Sequence, residues 1–257
     1  MKILDLTLKT PHENIAVDEA LLDAAEQNEN AIELLRIWEP QAPIVVLGRS
    51  SPFSTEVNHE FCQQHSIPII RRSSGGQTVV TDRGCLMYCV LLDYRIRPQL
   101  RMLEQAHAFV IKRVQAALGS IGIHAKMNGT SDLTLGEQQK KFSGNAMRAK
   151  RNWMIYHGTL LCDMNLDMIF DCSGKPLREP EYRRERSHRE FLTTLETTTG
   201  SVKQALIETW MRDINDVDGG VSGPDWTKYQ CTDWPQQMTE ELVEEKYQTR
   251  EWTEKVP

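Results

Sequence analysis

The chain predicts an α+β fold: a central mixed sheet with helices packed on it. Three features lead there. Short apolar runs read as strands, segments of helical period are interspersed with them, and no stretch repeats another. Asn14 is placed to cap a helix over 14–27, whose Val17, Leu21, Ala24 and Ala25 share one face. Residues 33–38 read as a strand, Pro40 to Pro43 turn the chain, and Ile44–Leu47 is a buried strand ending at Gly48. Residues 67–71 and 86–92 are further apolar strands. Leu103, Ala106, Val110, Val114 and Ala117 recur at helical spacing, which predicts a helix over 101–118 stopped by Gly119. Residues 131–135 and 139–143 are strands flanking a turn at Gly136, and 154–164 is the last predicted strand. Residues 173–191 are polar, rich in Arg and Lys, and read as a long loop. Val202, Leu206 and Trp210 mark a helix over 201–214. Residues 216–237 carry Asp-Gly-Gly and two prolines and read as a linker. A short helix from Thr239 then groups Leu242, Val243, Lys246 and Tyr247.

A chain of 257 residues has room for one large domain with an appendage. Hydrophobic residues at 40% and charged residues at 26% rule out disorder as a description of the whole. No apolar run approaches the roughly 18 residues of a membrane helix. The start, with Asp5 and no long apolar stretch, does not read as a secretory signal. A net charge of −6 argues against a nucleic-acid surface. The six cysteines are scattered without a paired spacing, so no zinc site is expected, and reduced thiols in a cytoplasmic setting are.

Two segments carry chemistry. In the first, Arg71-Arg72-Ser73-Ser74-Gly75-Gly76-Gln77-Thr78-Val79-Val80, one strand delivers two arginines into a Ser/Gly turn and another leaves it. Glycines let backbone N–H groups approach an anion closely, and Arg offers a permanently charged fork for phosphate. The Gly-Lys-Ser/Thr ending of a P-loop is missing. A plain hairpin turn with two solvent-facing arginines fits the same residues. The second segment is Lys141-Phe142-Ser143-Gly144-Asn145-Ala146, followed by Tyr156-His157-Gly158-Thr159. Strand alternation puts Lys140 and Lys141 on opposite faces and Lys141 with Ser143. An inward lysine must find an anion, whereas an outward one simply snorkels. His157 reads either as a ligand contact or as a core histidine bonded to backbone.

In order and spacing the two segments resemble the lipoate–protein ligase family within the wider biotin/lipoate ligase group. The resemblance runs from about residue 11 to 215. It also takes in Asn14-Ile15-Ala16-Val17-Asp18-Glu19, Val46-Leu47-Gly48-Arg49 and Gly84-Cys85-Leu86-Met87-Tyr88. It implies a catalytic domain over 1–215, with 216–257 a linker and short helix packed on it. It further implies attachment of a lipoyl or octanoyl group, through an acyl-adenylate made with ATP and Mg²⁺, to a lysine of a carrier. The carrier implied is a lipoyl domain of a 2-oxoacid dehydrogenase E2 or the glycine cleavage H protein. Lys141 would be the fixed positive charge that favours the transition state. Arg71, Arg72, Ser73, Gly75, Gly76, Gln77, Thr78, Val79, Val80, Ser143, Gly144, Ala146, His157, Gly158 and Thr159 would bind ATP and the acyl-adenylate. An apolar tunnel would hold the acyl tail.

Three departures from the family pattern matter. Gln77 stands where a third glycine is common, Thr81 stands where a histidine is common before Asp82, and about 40 residues after Gly219 cannot build the accessory domain of long ligases. An accessory subunit would answer the last. A thioester-using octanoyl- or lipoyltransferase is the alternative, with Cys172 as its candidate nucleophile, since residues 123–132 hold no cysteine. A non-catalytic acyl-binding protein is another, and a biotin ligase a weaker one. The basic stretch 178–188 reads either as a solvated loop or as a lid over the acyl-adenylate.

Overall fold

The computed structural model describes residues 1–175, 179–215 and 229–257. A five-stranded mixed sheet runs in the order β1 (Lys2–Asp5), β2 (Leu34–Trp38), β6 (Cys85–Asp93), β11 (Trp153–Leu161), β10 (Asn145–Ala149). Only the β1–β2 pair is parallel. A three-stranded sheet holds β4 (Ile69–Arg71), β3 (Ile44–Leu47) and β5 (Val79–Thr81). A second small sheet holds β7 (Lys126–Asn128), β8 (Asp132–Leu135) and β9 (Lys140–Ser143).

Strand β6 is nearly continuous in apolar residues because both of its faces are covered. Tyr88, Val90 and Leu92 point into the core built from α3 (Leu103–Ser120) and α6 (Thr199–Asn215). Cys89 and Leu91 point the other way, against Val17, Leu21 and Leu22 of α1 (Pro11–Gln27). The chain from Tyr229 onward returns to this body. Cys231 N–H donates to the Ile3 carbonyl at 2.6 Å, and α7 (Gln236–Leu242) packs on α1.

The helix ends differ from expectation. Thr10, not Asn14, caps α1: its hydroxyl accepts from Glu13 N–H and Glu13 returns a bond to Thr10 N–H, with Pro11 in the first turn. Asn14 is buried and bonds Leu8 and Arg36 instead. Gly119 lies inside α3, which ends at Ser120 with Ile121 as its C-cap; the left-handed backbone that follows is at Gly122, φ +82°. The helix expected from Thr239 starts at Gln236 and runs on as a π-turn through Val243–Tyr247.

Several elements carried no clear apolar period: β1, α2 (His59–Gln64), β7, β10, α4 (Asp167–Cys172) and α5 (His188–Phe191). Residues 179–191 are built into the body rather than forming a solvated loop. Ser187 and Glu190 form a capping box on α5, and Arg183 is buried beside Phe191. Pro176, Leu177 and Arg178, and most of the expected 216–237 linker, lie outside the described residues. No helix among the described residues is long and apolar enough to cross a membrane. The rest of the C-terminal segment is α8 (Arg250–Thr253), which packs against β4.

Candidate active site

The α1-facing side of the large sheet does not close completely. Between it, the β3–β4–β5 sheet and the turn after β4 lies a cavity of about 360 Å³. Ile15, Trp38, Val46, Val79 and Met87 make its apolar part. Trp38 and Met87 are there because they pair across β2 and β6 and so share one face. Lys141, Asp132, Gly144, Asn145 and His157 supply polar wall. A smaller cavity of about 120 Å³ adjoins it and shares Gln77, Thr78, Val79, Lys141, Gly144 and Thr159. Val80, Ser143, Arg183 and His188 stand on the smaller one.

Lys141 therefore belongs to both walls. Strand alternation turns it inward while Lys140 lies along a separate surface hollow. The anion it finds is Asp132 on the adjacent strand β8, with Nζ 2.9 Å from Oδ1. Three-quarters of the Lys141 side chain is out of solvent, so its charge acts through a medium poorer in water than a surface. Gly144 leaves the space that the lysine stem crosses, since a Cβ there would lie 3.4 Å from Cε and Nζ.

The Ser/Gly turn is held open by Arg72. Its Nη2 donates to the carbonyls of Gly75 at 2.6 Å and Gln77 at 2.9 Å, its Nη1 to Val46 at 3.1 Å, and its Nε to the Ser74 hydroxyl at 3.0 Å. Burial pulls the guanidinium down to about 10, partly offset by Glu56, so it remains charged at neutral pH. The carbonyls of Gly75 and Gln77 are thereby fixed on Arg72. Thr78 is pinned from behind, its N–H and hydroxyl both donating to Glu56 Oε2, at 3.0 and 2.6 Å. Gly48 must be glycine: a Cβ there would sit 1.8 Å from the Gly76 carbonyl oxygen. Gly76 itself has φ +85°.

Of the expected binding residues, Arg72, Gly76, Gln77, Thr78, Val79, Val80, Ser143, Gly144, Ala146, His157, Gly158 and Thr159 meet at these two cavities. Ser73 and Gly75 do not stand on either wall. Arg71 is a correction. It is fully buried, and its guanidinium is spent on the carbonyls of Gly48, Ser51, Trp252 and Thr253. The alternation that sends Arg72 to the cavity sends Arg71 to the C-terminal segment.

Cys172 is also a correction. It is fully buried beside Cys62, stands on neither wall, and burial pushes its thiol up to about 12, with Cys62 and the nearby carboxylates acting in the same direction. Cys62, Cys85, Cys89 and Cys162 are buried thiols raised by burial as well.

His157 is both a wall residue and a bonded core residue. Its Nδ1 lies 2.7 Å from Asp18 Oδ2, and its Nε2 lies 2.6 Å from the Ser74 hydroxyl. Asp18 Oδ1 in turn accepts from buried Arg36 at 2.7 Å. Burial opposes the charge on Asp18, but the His157 bond and Arg36 outweigh it and hold the carboxyl below its usual range. Asp18, Arg36, Glu56, Ser74 and Asp132 received no role from the sequence; for the first four, a bonded partner lies 18 or more positions away. A charged residue inside an apolar strand, Arg36, was the one available signal.

The family model for the lipoyl protein ligase A/B catalytic domain matches residues 10–214. A putative lipoate-protein ligase A of Schizosaccharomyces pombe is 33% identical over 166 residues, 65% of this chain and 42% of that protein. Lipoate–protein ligase 1 of Staphylococcus aureus is 32% identical over 159 residues, 62% of this chain and 45% of that one. The chain thus spans about half the length of these ligases. Octanoyltransferase LipM of Carboxydothermus hydrogenoformans is 24% identical, with 93% of both chains covered. Among solved structures, one is described as a bipartite lipoate protein ligase and its E2 lipoyl domain from Thermoplasma acidophilum. It shares the fold at a TM-score of 0.77 and 21% identity, covering 100% of this chain and 96% of that one. A lipoate-protein ligase A bound with ATP shares it at 0.76 and 21% identity, covering 100% and 99%.

Proposed function

Because the chain belongs to the lipoyl protein ligase A/B catalytic domain family, we propose that it activates lipoate or octanoate with ATP and passes the acyl group to a carrier lysine. One observation carries this reading: the Lys141 ammonium and the Arg72-braced turn converge on a cavity that also carries an apolar stretch of wall, Ile15, Trp38, Val46, Val79 and Met87. The acyl tail fits beside Ile15, Trp38 and Met87, and its carboxylate reaches Lys141. The carboxylate oxygen attacks the α-phosphorus and pyrophosphate leaves. The carrier's neutral amine then attacks the acyl carbonyl, the bond to the phosphate oxygen breaks and AMP leaves, the nitrogen gives up a proton to solvent, and an amide forms. Negative charge grows on the phosphoryl oxygens in the first step and on the acyl carbonyl oxygen in the second. A lysine held in place stabilises it without reorganising.

The cavity residues do not build a magnesium cage. Among the described residues the cluster with metal-ligand spacing is Asp18, Cys89 and His157, a mixed O, S and N set already bonded to Arg36 and Ser74. Magnesium would come with the nucleotide's phosphates, and no step is assigned to a protein-bound ion. A lipoyl domain of an E2 type, or the H protein, is the carrier class, and the bipartite relative motivates a separate accessory subunit.

The likeness to LipM over 93% of both chains favours a second reading, transfer from an acyl thioester without ATP. Lys141 would then polarise the thioester carbonyl. The buried, proton-holding Cys172 argues against a covalent intermediate on that residue.

The experiment combines the purified chain with octanoate or lipoate, ATP and an apo lipoyl domain. The expected result is AMP release and one acyl mass on the domain. Acyl gain only from acyl carrier protein supports the second reading. Binding without turnover under either regime overturns both.

A further inference from the structure

Three polar groups join the floor of the acyl cavity to the glycine-rich turn. Asp18 is charged and fixed by Arg36, so the hydrogen of His157 stands on Nδ1, facing Asp18. In the neutral ring Nε2 is then a bare acceptor, and the Ser74 hydroxyl must donate to it. That leaves the Ser74 oxygen lone pairs for Arg72 Nε. Arg72 in turn holds the carbonyls of Gly75 and Gln77. A continuous run of hydrogen bonds therefore leads from helix α1 through a cavity wall to the turn. Ser74 is buried and stands on neither wall, which excludes it as a nucleophile despite its place in a Ser–His–Asp arrangement. Its place suits transmission instead.

We infer that Ser74 and Asp18 are positioning residues that act through His157 and Arg72 to couple acyl occupancy of the cavity to the order of the glycine-rich turn. An acyl chain packed on the His157 ring restricts the ring. The ring restricts the Ser74 hydroxyl, and the hydroxyl fixes the Arg72 fork that opens the turn. Each substrate then tightens the other by the same factor, as linkage requires. This rests on the acyl-adenylate reading above.

The test is calorimetric binding of octanoate and of α,β-methylene-ATP, alone and together, to the wild type and to Ser74→Ala. In the wild type octanoate should tighten the nucleotide analogue at least about fivefold, the lower end of ordinary coupling. Ser74→Ala should bind octanoate within about twofold of the wild type and lose the coupling, a readout that a merely structural role would not move. His157→Phe keeps a ring and removes both bonds. It should lose the coupling too, whatever it does to octanoate affinity, and it stands in if Ser74→Ala does not fold. Coupling that persists in a folded variant overturns the inference. So does a wild type that binds both ligands independently, although acyl-adenylate chemistry then survives. A wild type that binds neither ligand overturns the underlying reading together with the inference.

Discussion

Arg71 and Trp252, 181 positions apart, bond each other reciprocally: the indole Nε1 donates to the Arg71 carbonyl at 2.8 Å, and Arg71 Nε donates to the Trp252 carbonyl at 3.2 Å. Arg71 is the last residue of β4 and Arg72 begins the cavity turn, so the C-terminal segment is fastened to the root of that turn. Tyr247 and Lys246 fasten it again, both bonding Glu19 at 2.7 Å.

Arg71→Ala should cost about 3–5 kcal/mol, because several buried carbonyls lose their charged donor together. Urea denaturation measures it. Arg71→Lys should recover less than half, since one ammonium cannot reach carbonyls spread around a planar fork. Full stability of Arg71→Ala would remove the fastening argument.

Lys141→Ala should fold and lose acyl transfer by about 10²–10³ in rate, the usual loss of one oriented charge from a water-poor site. Lys140→Ala, on the opposite strand face, is the control and should stay within about twofold. Circular dichroism and steady-state kinetics on both variants decide it. Near-normal turnover by folded Lys141→Ala would sink the site.

Cys172→Ser should keep turnover and lose about 1–2 kcal/mol of stability, since the hydroxyl enters a site built for a buried thiol. At pH 8 the wild-type thiol, pushed up to about 12, should alkylate with iodoacetamide far more slowly than a free cysteine. A dead but folded Cys172→Ser, with an octanoyl adduct on the wild type that hydroxylamine removes, would establish the thioester route.

Asp18 and Glu19 both have carboxyls held below their ordinary range. Burial opposes this in each, and it is outweighed by His157 and Arg36 at Asp18 and by Lys246, Tyr247 and Arg148 at Glu19. A folded pKa below the unfolded one gives stability that is complete above the unfolded value, about 4, and lost as pH falls through the folded value. Asp18→Asn should therefore be less stable than the wild type at pH 7 and show a shallower decline below about pH 4. Parallel acid limbs in urea midpoints would contradict the assignment.

Much of the site was legible because its residues are consecutive. Alternation along 140–143 is enough to separate Lys140 from Lys141, whereas Arg72 with Gly75-Gly76 reads equally as an anion-binding turn and as a plain hairpin. The same local rule could not divide the roles of Arg71 and Arg72. It says that they diverge, not which of them meets a cavity. Nor could spacing reveal that Thr10 rather than Asn14 caps α1, because Asn14 is claimed by Arg36, 22 positions on.

What the sequence by itself determined is the set of elements with an unbroken period, the two chemical segments and their family. Those follow from near-neighbour sterics and side-chain alternation, which act over a few residues. Tertiary structure alone decided that Asp132 faces Lys141, that His157 is strung between Asp18 and Ser74, that Arg71 grips the C-terminal segment, and that Cys172 keeps its proton in the core. Asp132 meets Lys141 through the pairing of β8 with β9, and the others depend on charge or burial between groups brought together only when the sheets and helices pack. Such interactions scale with distance in space and local dielectric, neither of which is written in the order of residues.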